Sequence, residues 1–299
     1  MELYSDKIFS VESYLEQAAK TGAELKTIGF SLQKRPIVVL KKGTGKLKAL
    51  FIARLHGNEP APTQAVIDFF HDYSDEEIEA YGIFLANPDG AALYEQNWQK
   101  NRKAHWKNIF QKARLNSVEV DLNRDWMNLT QQETRIIRQF IFSLKPDLVV
   151  DHHEFYWKKE YPPKFPTQDE DGFLATMTDS PFYLTHPYVK EISEKLMNYL
   201  IEELEREFQW KIKPRHFIGD SHDTFENPGY LGIYLALRGI PKLLVETWGV
   251  ACSMLLLPKR VEFHRRAMEH VIDWMKRNES CFVEKPSNLQ YLKFNLQEA

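Results

Sequence analysis

A mostly apolar run at residues 49–55 (ALFIARL) stops at His56, and Gly57, Asn58, Glu59 and Pro60 follow at once. Leu50, Phe51, Ile52, Ala53 and Leu55 are too continuous for a half-exposed strand and read as a buried one. Pro60 suits the first position of a helix, because its fixed φ is already helical and its missing N–H is not needed there. The pattern therefore predicts a buried strand running directly into a helix over residues 60–73. His56 and Glu59 fall in the tight turn between them, where open α/β sheets hold their ligands. An imidazole beside a carboxylate is a natural start for a zinc site. The HxxE spacing also occurs in ordinary solvated turns, so the remainder of the chain must decide.

The same alternation recurs along the chain. Residues 10–21 predict a helix with Val11, Tyr14, Leu15 and Ala18 on one face, and residues 24–42 predict two strands around a turn at 33–35. Residues 81–86 form another buried strand, stopped by Asn87-Pro88-Asp89-Gly90, which reads as a turn. A helix over 129–144 carries Ile136, Ile137, Phe140, Ile141 and Leu144 and ends at Pro146. Apolar strands follow at 148–151 and 242–245, with helices at 189–208 and 260–277. Residues 98–118 are polar, basic and aromatic and predict a surface excursion. Residues 156–187 hold five prolines and predict an irregular active-site loop. Strand and helix in alternation argue an α/β fold with helices on both sheet faces. With no repeat, low-complexity segment or linker, residues 1–299 read as a single domain.

Composition narrows the function classes. A formal net charge of −3 over 299 residues gives no electrostatic case for nucleic acid or an anionic membrane. No apolar run approaches membrane-spanning length, and the N-terminus lacks a signal-peptide core. Cys252 and Cys281 make neither a disulfide framework nor a metal spacing. A cytoplasmic enzyme is the expectation.

Three apolar strands end in ionisable residues: His56, the run Asp151-His152-His153-Glu154, and Glu246. Strands packed side by side bring such ends together, and a buried ionisable group needs a partner. One shared metal ion would satisfy all of them.

Six segments, in chain order, carry a family resemblance. They are Ile28-Gly29-Phe30-Ser31 with Arg35-Pro36-Ile37, His56-Gly57-Asn58-Glu59, Asn87-Pro88-Asp89-Gly90, Asp121-Leu122-Asn123-Arg124-Asp125-Trp126, residues 147–153, and Leu244-Val245-Glu246-Thr247. Together they resemble the motifs of the zinc carboxypeptidases, metallopeptidases of the carboxypeptidase A type. The resemblance implies a mixed, twisted eight-stranded sheet flanked by helices. It implies a hydrolase that cuts the amide bond next to a free C-terminal carboxylate with a zinc-activated water.

Roles follow from the same resemblance. His56, Glu59 and His153 would hold one Zn²⁺ per chain and leave a position open for water. His153 is chosen over His152 because the family's ligand stands two residues after the aspartate, on the same strand face as Asp151. Glu246 would be the general base. Asn123 and Arg124 would grip the terminal carboxylate, which the planar fork of arginine suits. Arg114 would polarise the scissile carbonyl, with Glu119 standing where the family's segment has glycine; Arg102, after Trp98, competes for that role. Tyr230 and Tyr234 both lie in the stretch where the family's substrate-closing tyrosine is found. The alternative is a zinc deacylase of small N-acyl amino acids, of the aspartoacylase and succinylglutamate desuccinylase group. Those relatives share the HGNE, DLNR and DxH motifs but usually append a small C-terminal β-domain, which the closing helix here does not predict. A non-catalytic binding module would have lost a ligand or the base, and none is missing. The expected partner is a peptide or N-acyl amino acid substrate.

Overall fold

The computed structural model describes residues 8–100, 112–155, 175–178, 185–215, 229–249 and 257–286. Helix α1 (Val11–Ala19) begins where the Ser10 hydroxyl accepts the Ser13 N–H at 3.1 Å. A hairpin of β1 (Glu24–Phe30) and β2 (Pro36–Lys42) follows, then β3 (Leu47–Ala53), α2 (Pro60–Asp72), β4 (Ile78–Ile83) and α3 (Pro88–Lys100). A short 3-10 turn (Leu122–Arg124) precedes α4 (Gln132–Leu144) and β5 (Leu148–Phe155). The chain continues through β6 (Ala175–Thr178), α5 (Pro187–Phe208), β7 (Ile212–Arg215), α6 (Leu231–Ala236), β8 (Lys242–Trp248), α7 (Leu257–Arg277) and α8 (Glu279–Val283).

The strands form the expected eight-stranded mixed sheet, in the order β1-β2-β4-β3-β5-β8-β6-β7. Its centre, β4-β3-β5-β8, is parallel, and antiparallel pairs flank it on both sides. Alternating strand residues feed two cores. Ala49, Phe51 and Ala53 join the core with α1, α2, α5 and α7, while Leu50 and Ile52 join the core with α4 and α6. From β3 the chain crosses through α2 to β4 on one side, and β5 then pairs with β3 on the other. That reversal is a topological switch point, which opens a crevice at the C-terminal ends of β3 and β5.

Some local expectations change. Asn87-Pro88-Asp89-Gly90 is the start of a helix rather than a free turn: Pro88 opens α3, and the Asn87 side chain accepts the Gly90 N–H at 2.9 Å. Asx-turn chemistry and helix capping use the same side-chain acceptor, so the tetrapeptide alone does not separate them. Helix α3 also takes in the first residues of the predicted 98–118 excursion. Most of the predicted loop at 156–187 lies outside the described residues, but strand β6 occupies part of it.

Candidate metal centre

Strand β3 ends with a change of backbone hand. Arg54 adopts φ 61°, a left-handed conformation that turns the chain out of the pleat just before His56. The carbonyls of residues 54–57 are then all taken. Arg54 O accepts the Asn87 N–H at 2.9 Å, Leu55 O accepts Asn87 Nδ2 at 3.2 Å, His56 O accepts the Glu59 N–H at 3.2 Å, and Gly57 O accepts Arg54 Nε at 3.0 Å. Gly57 is required here by contact. A Cβ on it would stand 2.1 Å from the Gly90 carbonyl carbon and 2.4 Å from the Ala113 oxygen. The HGNE and NPDG motifs are thus two sides of one backbone contact.

His56 Nδ1 lies 2.7 Å from Glu59 Oε1, His153 Nδ1 lies 2.8 Å from Glu59 Oε2, and the two Nδ1 atoms are 3.0 Å apart. All three residues are buried. The outward nitrogens are anchored as well: His56 Nε2 is 3.1 Å from Asp121 Oδ1, and His153 Nε2 is 3.0 Å from Asp151 Oδ2. A carboxylate on each Nε2 favours the tautomer with its proton there, which leaves both Nδ1 lone pairs facing one another and the Glu59 carboxylate. Such a cluster needs a positive centre. Burial alone would raise the Glu59 carboxyl, but facing His56 and His153 holds it below the usual carboxylate range. Burial likewise opposes a charge on His153, yet Asp151 and Glu59 draw a proton to it well above its ordinary pKa. Two imidazoles and a carboxylate, oriented by second carboxylates, are a donor set that fits Zn²⁺.

Around this group stand the other expected residues. Arg114 Nε donates to Asp121 Oδ2 at 3.1 Å, and its Nη1 reaches Glu59 Oε1 at 3.4 Å. Burial would raise the Asp121 carboxyl, but His56, Arg114 and Arg124 together hold it below its usual range. Glu119 has φ 61°, the conformation glycine adopts without penalty, in the position where the matching segment carries glycine. Asn123 Oδ1 accepts the Leu231 N–H at 3.0 Å, and its Nδ2 lies 3.4 Å from His153 Nε2. Half-buried Arg124 stacks on the Tyr230 ring at 3.7 Å and donates to the Asn123 carbonyl. Glu246 pairs in register with His153 across β5 and β8, on the same sheet face.

His152 points to the opposite face, where its Nδ1 meets His264 Nδ1 at 3.1 Å. Tyr234 is core, bonded to Arg138 and buried beside Trp126. Arg102 lies outside the described residues. Sequence reasoning missed Asp121 and Asp151 as partners of the two histidines. Asp151 had a signal, since it shares strand parity with His153, whereas nothing in the sequence pairs Asp121 with His56, 65 positions away.

Residues 10–140 match the M14 peptidase family, described as zinc carboxypeptidase. Carboxypeptidase 2 of Trichophyton tonsurans is 26% identical over 133 residues, which are 42% of this chain and 21% of that protein. Carboxypeptidase 2 of Trichophyton rubrum is 27% identical over 128 residues, 40% of this chain and 20% of that protein. The chain spans about a fifth of the length of these curated relatives. Among solved structures, a metallo-carboxypeptidase from Burkholderia cenocepacia aligns with TM-score 0.64 at 16% identity, covering 90% of this chain and 70% of that one. The murein-tripeptide amidase of Escherichia coli O157 aligns with TM-score 0.54 at 17% identity, covering 90% and 97%. In sequence over residues 10–140, and in fold over nine-tenths of its length, this chain resembles the zinc carboxypeptidases.

Proposed function

We propose that this chain is a zinc-dependent metallocarboxypeptidase that hydrolyses the amide bond next to a free C-terminal carboxylate. The observation that carries the reading is the convergence of His56, Glu59 and His153, whose ligand atoms all lie within 4.8 Å of one another, with Glu246 beside His153 on one sheet face. When bound, one Zn²⁺ per chain would act as a Lewis acid and bring the pKa of the attacking water near 7. Glu246 takes that water's proton and returns it to the leaving amine. Arg114, its plane fixed by Asp121, offers a cation to the scissile carbonyl as negative charge develops there. Arg124, held over the Tyr230 ring, offers its fork to the terminal carboxylate, and Asn123 holds the adjoining segment in place through Leu231.

The test is a hydrolysis panel of peptides, cell-wall peptides and N-acyl amino acids, each with and without chelator. Cleavage of a free-acid peptide should require metal. Amidating its C-terminus removes the charge that Arg124 reads, so kcat/KM should fall by about one to two decades, the worth of a hydrogen bond to a charged group. Equal cleavage of the acid and the amide overturns the carboxypeptidase reading. Cleavage confined to N-acyl amino acids replaces it with a deacylase.

A further inference from the structure

Directly beneath the metal-binding turn lies a cation that the proposed chemistry does not use. Arg54 is completely buried, with its guanidinium between the rings of Tyr14 and Tyr94 at 5.5 and 5.9 Å. Tyr14 sits close enough for that charge to oppose the effect of burial on its hydroxyl. The Tyr14 side chain is also the hydrogen-bonding neighbour of the guanidinium, but among the described residues neither Nη1 nor Nη2 of Arg54 makes a well-directed bond. Its one directed bond runs from Nε to the Gly57 carbonyl at 3.0 Å. The residue also holds φ 61°, a conformation that side chains other than glycine adopt only with strain.

The left-handed backbone and the guanidinium nitrogens without a well-directed bond each weaken the fold, against the attraction of the two rings. What they obtain is local. Gly57 lies between the two ligands His56 and Glu59, and its carbonyl, unlike those of Arg54, Leu55 and His56, is held by a guanidinium rather than by a backbone N–H or an asparagine amide. Without Arg54 that carbonyl would have to turn out of the buried turn to find a donor, taking the peptide between the ligands with it.

We infer that Arg54 is a positioning residue for the metal site: through its bond to the Gly57 carbonyl it sets the spacing of His56 and Glu59, at the expense of stability. The inference rests on the metal reading of the His56–Glu59–His153 group. It predicts that affinity for metal and resistance to unfolding move independently when Arg54 is replaced.

Arg54→Met fills similar volume with no donor and no charge. Zinc affinity, measured on the full chain by competition with a chromogenic chelator, should weaken by about 10–100-fold, the range for partners that orient metal ligands. The thermal midpoint of the metal-free variant should not fall with it, since an apolar residue of similar size replaces a poorly compensated buried cation. Val271→Ala, on the buried face of α7, is the matched control: it should lower the midpoint and leave zinc affinity unchanged. If Arg54→Met does not fold, Arg54→Lys decides, because it keeps the charge between the two rings but has no nitrogen at the Nε position. A zinc affinity within twofold of wild type in the folded variant overturns the inference. So does an equal loss of affinity in Val271→Ala, which would make affinity a reflection of stability alone. A wild-type chain that binds no zinc overturns the metal reading and this inference with it, whereas zinc bound equally by wild type and variant removes only the role of Arg54.

Discussion

At the scale of single residues, Glu246 bears the sharpest expectation. Glu246→Gln keeps the size and one acceptor oxygen but cannot accept a proton at neutral pH. Bound zinc should be retained, since Glu246 is not among the three converging ligands, and turnover should fall by about 10²–10⁴-fold. Single-turnover kinetics with a zinc assay on the same sample separate the two effects, and near-wild-type turnover would assign the base elsewhere. Glu154 is not the substitute: it faces the other side of the sheet, where it accepts the Ala61 N–H at 3.0 Å and pairs with buried Arg260. Much at this scale was legible in the sequence. The chemistry-bearing residues follow apolar strands, and the i, i+2 parity of β5 separates His153 from His152. Arg54 was not legible, because a positive φ and a buried guanidinium leave no trace in a pattern of apolar and polar letters.

Motifs become elements with unequal purposes. Asp89 of the NPDG motif accepts the Ser31 hydroxyl at 2.6 Å, the Gln33 N–H at 3.0 Å and Arg35 at 2.8 Å, tying the β1–β2 hairpin to the start of α3. Asp125 accepts the N–H groups of Thr130 and Gln131 and the hydroxyls of Thr130 and Thr134, which fixes the entry into α4. Both motifs were recognisable in the sequence, but the partners their carboxylates organise were not, since those partners lie on other segments or depend on the local fold. Helix α7 carries the element-scale prediction. Burial pushes His152 down to about 3, and it also pushes His264 well below its ordinary value, so both are neutral in the fold. In the unfolded chain each takes a proton near 6.5. The unfolded state therefore binds more protons below that pH, and stability falls as the solution is acidified. His264→Leu removes one such group. At pH 7 the variant should be less stable by about 1–3 kcal/mol, because His152 Nδ1 and the Thr247 hydroxyl lose their partner. By pH 5 that gap should narrow by about 2 kcal/mol, as wild type alone carries the cost of keeping His264 neutral. Denaturant titrations at the two pH values measure it, and a constant gap would mean that His264 is already charged in the folded protein.

Over the whole molecule, the α/β architecture was within reach of the sequence through the alternation of apolar runs with helical periodicity, and the number of strands through the family resemblance. Short strands β6 and β7 and short helix α6 were not located. Four to six residues carry too little periodicity to separate a strand from a turn of helix, and only packing decides. The metal expectation also belongs to this scale, because the ligands come from two distant parts of the chain. Free zinc at 100 times its dissociation constant should stabilise the fold by about 2.7 kcal/mol, provided that the unfolded chain does not bind it. Thermal melts with zinc and with chelator should differ for wild type and coincide for His56→Ala. A zinc-dependent shift that survives in His56→Ala would place the metal elsewhere.

The position of β5 has a consequence for how the chain is made. It is hydrogen-bonded on one side to β3, where Ala53 meets His152, and on the other to β8, where His152 meets Val245. Neither neighbour is close in sequence, so the centre of the sheet cannot be completed until synthesis has passed β8. Before β5 is made a nascent chain presents the apolar edge of β3, and from then until β8 is made that of β5, as an open template for other strands. Long-range parallel pairings of this kind also form slowly. Ribosomes stalled before residue 242 should therefore release a product that aggregates, while chains extended through α7 fold, and folding yield should depend on chaperones during translation more than on any step after release.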